Sequence, residues 1–415
     1  MSSPPEPHTQ PSHLPPHILY QNPSKTITLI DIPRSIEDAQ YLSEEDIPHA
    51  SAKRRLISCE PVDTPYPSLE PKSKKALKNA PEKSIKELML ERYAQLALEE
   101  MREGMKGGAR MCLDRVVGKS EKLKRKRKSF SEELEKSKHN VIKVENVDCM
   151  VPKRIKIDRA TGIMPPKSTM IHGNICETSI NIDASIESQN SEGLPSFHVI
   201  IADPPWPNRS ALRKDAYATA SGSLGMANLL RSLPCHHIEP NGYVGIWITN
   251  KPAFHAMLLD EGGLFDHWGL EIVEEWIWLK ITSSGEPIYE IPGTWRKPWE
   301  ILLVGRQKGA KRDPREGAGE VEVKRRVIIG VPDLHSRKPN LRFLFAQMLG
   351  LQSYDYRGME IFARNLTAGW WGWGNEVGSV GSLGDGGWFD PTASAPDFSP
   401  PPRRELVKPE LAAEN

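Results

Sequence analysis

Apolar positions follow two different periods along this chain, and only one stretch carries both in alternation. Within it, short apolar runs bounded by Pro, Gly, Asn or Asp read as strands: Val199 to Ala202, Tyr243 to Thr249, Glu271 to Ile281, Glu300 to Gly305, Val327 to Val331, and Met359 to Ala363. Helical segments are expected between them, at Met226 to Leu233, from an N-cap at Asn250 through about Leu259, and after Pro339. In the last of these Leu341, Leu344, Phe345, Met348 and Leu349 share one apolar face. Strands alternating with helices predict an α/β fold with a mainly parallel sheet covered on both faces.

The flanks lack that alternation. Residues 1–80 are rich in Pro, Ser and charge, which predicts mostly disorder with one short β-prone patch, Ile27 to Ile32, docking on the later domain. Residues 81–106 predict an amphipathic helix: Ile85, Leu88, Met89, Tyr93, Leu96, Leu98 and Met101 recur near helical spacing, with Pro81 and Glu82 in the first turn and Gly104, Gly107 and Gly108 ending it. Packing on its own catalytic domain is the plainer role for such a helix; lining an RNA or binding a partner is the other. Residues 107–194 read as a basic, mostly disordered linker, 195–378 as the catalytic domain, 307–322 within it as a charged surface loop, and 379–415 as a disordered tail.

Composition adjusts this picture in three places. With 36 prolines and 26% charged residues in 415, one sizeable core is expected rather than two or three. The net charge of +1 names no partner, but Lys119 to Lys128 and Lys153 to Lys156 are dense basic tracts suited to nucleic-acid phosphates or to nuclear import. The five cysteines form no Cys-x-x-Cys pair, which argues against a zinc site and against a disulfide framework. No signal core or stretch of about 20 apolar residues is present, so a soluble intracellular protein is expected, nuclear or also cytosolic. No Gly-x-Gly-x-x-Gly follows a strand, so a nicotinamide cofactor gains no support.

The candidate chemistry sits where the first strand stops. After Val199 to Ala202 come Asp203, Pro204, Pro205 and Trp206, and two prolines cannot continue a central ladder, so the acid is fixed at a strand's carboxyl end. Ligands of open α/β sheets bind outside those ends. Such a corner suits methylation of an adenine amino group, a poor nucleophile that must be held by its N–H bonds. Asp203 can accept one N–H, the Pro204 carbonyl the other, and Trp206 offers a flat face for a flipped-out base. The plainer alternative is a rigid turn with Trp206 packed in the core.

Asp203-Pro204-Pro205-Trp206 resembles the catalytic motif of the adenine amino-methyltransferases that modify messenger and small nuclear RNA. The similarity continues in order through Trp247-Ile248-Thr249-Asn250, Glu275 to Thr282, His335-Ser336-Arg337-Lys338-Pro339, Phe362-Ala363-Arg364-Asn365 and Trp373-Gly374-Asn375-Glu376. It spans roughly residues 195 to 378 and is strongest toward the methyltransferase-like protein 4 branch. The resemblance implies a Rossmann-like S-adenosylmethionine-dependent fold. It implies Lys338 as the partner of the cofactor carboxylate, Arg364, Asn365, Asn375 and Glu376 around the rest of the cofactor, and Asn208, Tyr217, Lys280 and Glu300 toward the substrate. Lys338 precedes Pro339 and so stands at an expected helix N-terminus, where a cation needs an anion.

The function expected is therefore transfer of a methyl group to the adenine amine of a nucleic acid, RNA before DNA, by a chain acting as a monomer or nearly so, without metal or membrane. Adenine is expected over cytosine, because a tryptophan-lined pocket built for a purine holds a pyrimidine loosely. The rivals are the same reaction on DNA adenine and a non-catalytic nucleic-acid-binding subunit; the retention of Asp203 and Trp206 weighs against the second.

Overall fold

The structure, a computed structural model, describes residues 14–42, 54–67, 82–105, 110–117, 142–148, 152–157, 160–173, 175, 193–207, 222–293, 296–310, 322–374, 377 and 388–389. In chain order the strands are β1 (Ile18–Gln21), β2 (Ile27–Ile30), β3 (Arg55–Ser58), β4 (Val116–Val117), β5 (Ile142–Glu145), β6 (Lys153–Ile157), β7 (Ala160–Met164), β8 (Thr169–His172), β9 (Phe197–Ala202), β10 (Ile238–Ile248), β11 (Leu270–Lys280), β12 (Trp299–Gln307), β13 (Lys324–Gly330), β14 (Gly358–Ile361), β15 (Trp371–Gly374) and β16 (Trp388–Phe389). The helices are α1 (Ile32–Asp38), α2 (Ile85–Gly104), α3 (Gly222–Arg231), α4 (Pro252–Leu259), α5 (Leu264–His267) and α6 (Arg342–Leu349).

Eleven strands form one sheet in the order β1-β2-β13-β11-β12-β10-β9-β14-β15-β8-β5. β9 pairs in parallel with both β10 and β14, and β14 with β15, so their carboxyl ends share one edge. From β9 the chain first builds one side of the sheet, then returns through α6 to β14 on the other. The crevice between β9 and β14 is thus a topological switch point, the usual place for a ligand. One expectation changes: β12 is antiparallel to both β10 and β11. No helical pattern separates β11 from β12, and without a crossover helix the chain can only fold back. Glu300 consequently enters the same edge from the start of its strand.

The two faces of the sheet have separate cores. Ile200, Ala202, Ile246, Ile248, Ile277 and Leu279 pack under α2 to α5 through residues such as Leu98, Met226, Phe254, Leu258 and Phe265. On the other face Val199, Ile201, Trp247, Trp276, Trp278 and Leu302 meet Leu344 and Phe345 of α6, with Trp276 stacked on Phe345 at 4.9 Å between centroids.

The domain starting near residue 195 is too narrow a description of this sheet. β2, the β-prone patch expected to dock on the later domain, does so by pairing in parallel with β13, while β1, β5 and β8, in segments read as disordered or as linker, supply three more of the eleven strands. Each is four residues long, and a strand that short is stabilised by its pairing partners rather than by local pattern. The Lys153 to Lys156 tract lies in β6, paired with β7, instead of on a free tether, and β16 pairs with β3 inside the expected tail. Lys119 to Lys128 lie outside the described residues.

Helix starts also differ, and α3 begins at Gly222 rather than Met226. α2 is capped by Ser84, whose hydroxyl accepts from the Glu87 N–H at 3.2 Å, and it buries Leu90, Ala94, Ala97, Leu98 and Met101 against its own domain. Ile85, Leu88, Met89 and Leu96 of the expected stripe are exposed. α4 is preceded by Lys251 with no side-chain cap, because Asn250 Nδ2 donates to the Trp299 carbonyl at 2.7 Å instead. α6 begins only at Arg342, so Lys338 stands in a loop ahead of the helix.

Candidate active site

Four turns converge on the crevice. The Asp203 N–H donates to the Ile361 carbonyl of β14 at 3.3 Å, so the backbone ladder carries the acid one residue past the strand end. The Trp206 N–H then turns back to the Pro204 carbonyl at 2.8 Å. That carbonyl is therefore already engaged once, and its second lone pair is what remains for an incoming amine. Trp206 is not an open stacking face: its indole N–H donates to the Trp247 carbonyl at 2.7 Å, its ring lies 4.5 Å from Phe254, and it is 6% exposed. That hydrogen bond and the Phe254 contact seat the ring in the core below the corner. Trp206 thus positions Asp203 from beneath.

Asp203 faces Lys338, whose ammonium lies 3.1 and 3.0 Å from the two carboxylate oxygens and 3.0 Å from Glu300 Oε2. Lys280 closes the chain of charges on Glu300. Lys338 also sits 5.4 Å from the Trp247 ring centroid and 5.8 Å from that of Trp278, against which Lys280 packs at 4.4 Å. Burial alone would discharge Lys338, but Asp203 and Glu300 outweigh it and hold its pKa above the ordinary value. For Glu300 burial works to raise the pKa, yet Lys338 and Lys280 bring it down to about 2. The site therefore holds a fixed alternation of charge. The anions at Lys338 are the protein's own carboxylates, whose three oxygens within 3.1 Å match its three N–H bonds.

Glu360 is an acid the sequence reading did not single out. It lies on β14 opposite Ile201, on the face that Asp203 continues. Burial raises its pKa to about 7, with Asp203 adding to the rise while Lys338 and Arg364 oppose it. Its signal was an acid flanked by Met359 and Ile361 in a strand with two covered faces. A pKa raised above the ordinary 4.5 means the folded state binds the proton more tightly than the unfolded one. Stability from this group is full below pH 4.5 and lost as pH rises through about 7. Glu360→Gln is accordingly expected to flatten the fall in melting temperature between about pH 5 and 8. Equal slopes for variant and wild type would remove Glu360 from the titration.

The remaining predicted positions follow β14. Phe362 has φ +62°, a left-handed conformation costing on the order of 1–3 kcal/mol, and it turns the chain between the end of β14 and Arg364, whose charge reaches Glu360. Gly372 and Gly374 of β15 permit this turn to lie close, since a Cβ on Gly374 would come within 2.9 Å of the Ala363 carbonyl. Ser336, two residues before Lys338, has φ +63° as well. Asn365 Oδ1 and, at the end of β10, Thr249 Oγ1 are buried with no hydrogen-bond partner. They are two of twelve such atoms among the described residues, and at this edge Asn365 Oδ1 can accept, and Thr249 Oγ1 can accept or donate, a hydrogen bond. Asn208, Tyr217, Asn375 and Glu376 lie outside the described residues. The crevice thus brings together Asp203, Pro204, Lys280, Glu300, Lys338 and the Phe362 to Asn365 turn. Among the described residues no group of three His, Cys, Asp or Glu side chains is placed to hold a metal, and no helix is long and apolar enough to cross a membrane.

Comparison with known proteins gives matches over the same region and beyond it. The MT-A70 family model matches residues 197–376. A protein named N6-methyladenosine RNA methyltransferase MTA1 from Cryphonectria parasitica is 39% identical over 365 residues, covering 87% of this chain and 91% of its own. One of the same name from Pyricularia oryzae is 39% identical over 375 residues, covering 86% and 93%. The human N(6)-adenine-specific methyltransferase METTL4 is 32% identical over 221 residues, 52% of this chain and 43% of its own.

Proposed function

The chain belongs to the MT-A70 family, and from that premise we propose an S-adenosylmethionine-dependent enzyme that methylates the exocyclic amine of adenosine in RNA, acting as a single chain. The observation that carries this reading is the strand-end carboxylate of Asp203 held against Lys338 and Glu300 in the switch-point crevice. RNA is favoured over DNA because relatives that align along nearly the whole chain bear the name of RNA methyltransferases.

The residues divide the work. Asp203 accepts one N–H of the amine and the free lone pair of the Pro204 carbonyl accepts the other, which turns the nitrogen toward the donor site. Trp206 and the Ile361 carbonyl fix where Asp203 points. Lys338 and Glu300 hold the Asp203 carboxylate in one orientation, and after transfer the extra proton on the nitrogen leaves to Asp203 or to water. The turn Phe362 to Asn365 would hold the ribose side of the cofactor through Asn365 Oδ1, and Lys338 would meet its carboxylate by giving up one of its contacts to Asp203 or Glu300. When bound, the cofactor supplies a methyl group activated on a sulfonium. The Lys119 to Lys128 tract adds nuclear import or phosphate contact to this proposal.

Incubation of the purified protein with methyl-labelled cofactor and pools of RNA and DNA, followed by digestion to nucleosides, tests the reading. Label on N6-methyladenosine from RNA is the expected result. Label mainly on cytosine, or on DNA alone, would overturn it.

A further inference from the structure

The loop between β11 and β12, described at residues 281–293 and 296–298, leaves the sheet at the Lys280–Glu300 pair. The Ile288 N–H donates to the Lys280 carbonyl at 3.1 Å and the Lys280 N–H to the Pro298 carbonyl at 2.7 Å, so Tyr289 starts beside the catalytic crevice. Two remote segments hold this loop. The strand of chain after β3 grips it through the Ser283 N–H on the Val62 carbonyl at 2.7 Å, the Ser284 hydroxyl on the Asp63 carbonyl at 3.1 Å, and the Tyr66 N–H on the Ile288 carbonyl at 2.9 Å. From the other side α2 and its approach contribute Arg102 to the Gly285 carbonyl at 2.7 Å, Glu91 to Lys297 at 2.6 Å, and Lys83 to the Pro292 carbonyl.

What the two straps present is an aromatic and cationic cluster. The rings of Tyr66 and Tyr289 lie 5.3 Å apart at 40°, and the Arg296 guanidinium stands 5.8 Å from the Tyr289 centroid while its Nη1 donates to the Tyr289 hydroxyl at 3.1 Å. Tyr66 is 45% exposed and Arg296 is exposed. The chain thus spends a dozen hydrogen-bonding and charged groups on fixing two tyrosines and an arginine at the surface, next to the place where an adenosine must leave its stack.

Resting on the RNA reading above, we propose that Tyr66, Tyr289 and Arg296 form a stacking platform for the nucleotide adjoining the target adenosine in single-stranded RNA. An adenosine drawn into the crevice leaves its neighbour without a stacking partner, and aromatic side chains replace that partner for any base. Arg296 lies where a guanidinium can meet the phosphate between the two nucleotides. Because Tyr66 comes from the segment after β3 and Tyr289 from the loop, the platform exists only with that segment docked.

The test uses the full chain and two short RNA oligonucleotides, identical except that one carries abasic sites on both sides of its single adenosine. Wild type is expected to show a KM about 5- to 100-fold lower on the intact oligonucleotide, the range of one base–aromatic stack. Tyr289→Ala and Tyr66→Ala are expected to erase that difference, Tyr289→Phe to keep it, and Arg296→Ala to reduce the salt slope of binding by about 0.7. Cofactor affinity and melting temperature verify that the variants are folded. Alanine variants that still prefer the intact oligonucleotide as strongly as wild type would overturn the platform and leave the RNA reading standing. Wild-type protein that methylates neither oligonucleotide would remove both.

Discussion

Asp203→Ala is expected to lower methyl transfer by ~10²-fold or more while leaving cofactor binding measurable. The carboxylate is the group that turns the amine toward the methyl donor, and a ~1 Å misplacement of reacting atoms can cost on the order of 10²-fold in rate. It is also one of two anions on Lys338, so its loss frees that ammonium to swing toward Glu300 alone. Asp203→Asn separates the two roles, since the amide keeps an acceptor oxygen of the same reach but removes the charge. Partial activity in Asp203→Asn would assign orientation to this side chain, and activity as low as in Asp203→Ala would assign charge or proton acceptance. Single-turnover rates at saturating cofactor give the comparison. Retention of more than about a tenth of the wild-type rate by Asp203→Ala would contradict a role of the expected size.

The second large effect concerns Lys338, which is only 13% exposed at its side chain and lies between the Asp203 and Glu300 carboxylates, with Glu360 nearby. Lys338→Met keeps the length and apolar stem and removes the charge, leaving acids facing one another in a poorly solvated crevice. Removing one partner of a buried pair costs about 3–5 kcal/mol, so a marked drop in the denaturant midpoint is expected together with a loss of activity. Lys338→Met combined with Asp203→Asn should recover much of the stability, because Asp203 is the carboxylate left without its cation while Glu300 keeps Lys280, and little of the activity. Equilibrium unfolding and cofactor titration of the three variants read this directly. A single variant with unchanged midpoint and unchanged cofactor affinity would mean that Lys338 organises nothing here.

The sequence by itself determined the pieces whose causes are local. Two prolines after Ala202 had to end β9 and leave Asp203 at its carboxyl end. The apolar runs from Val199 to Ala363 had to be buried strands, and the motif order carried the family resemblance with most of the residues of the crevice. Tertiary structure alone decided the rest, because the rest depends on pairing across hundreds of positions. β1, β5 and β8 exist through partners such as β2 and β15, which no local period announces, whereas β2 was legible as the apolar patch from Ile27 and only its partner β13 was not. Trp206 faces inward onto an acceptor, the Trp247 carbonyl, that lies 41 positions along the chain. Lys338 found Asp203 across 135 positions, and with that contact its role changed from a cation at a helix end to the centre of a charge cluster. Glu360 acquired its raised pKa from the burial and the neighbouring carboxylate that the sheet order imposed. Chain direction and burial pattern are local properties, readable from side-chain period and backbone restriction; electrostatics in a crevice is a property of distance, and distance is set only once the sheet has closed.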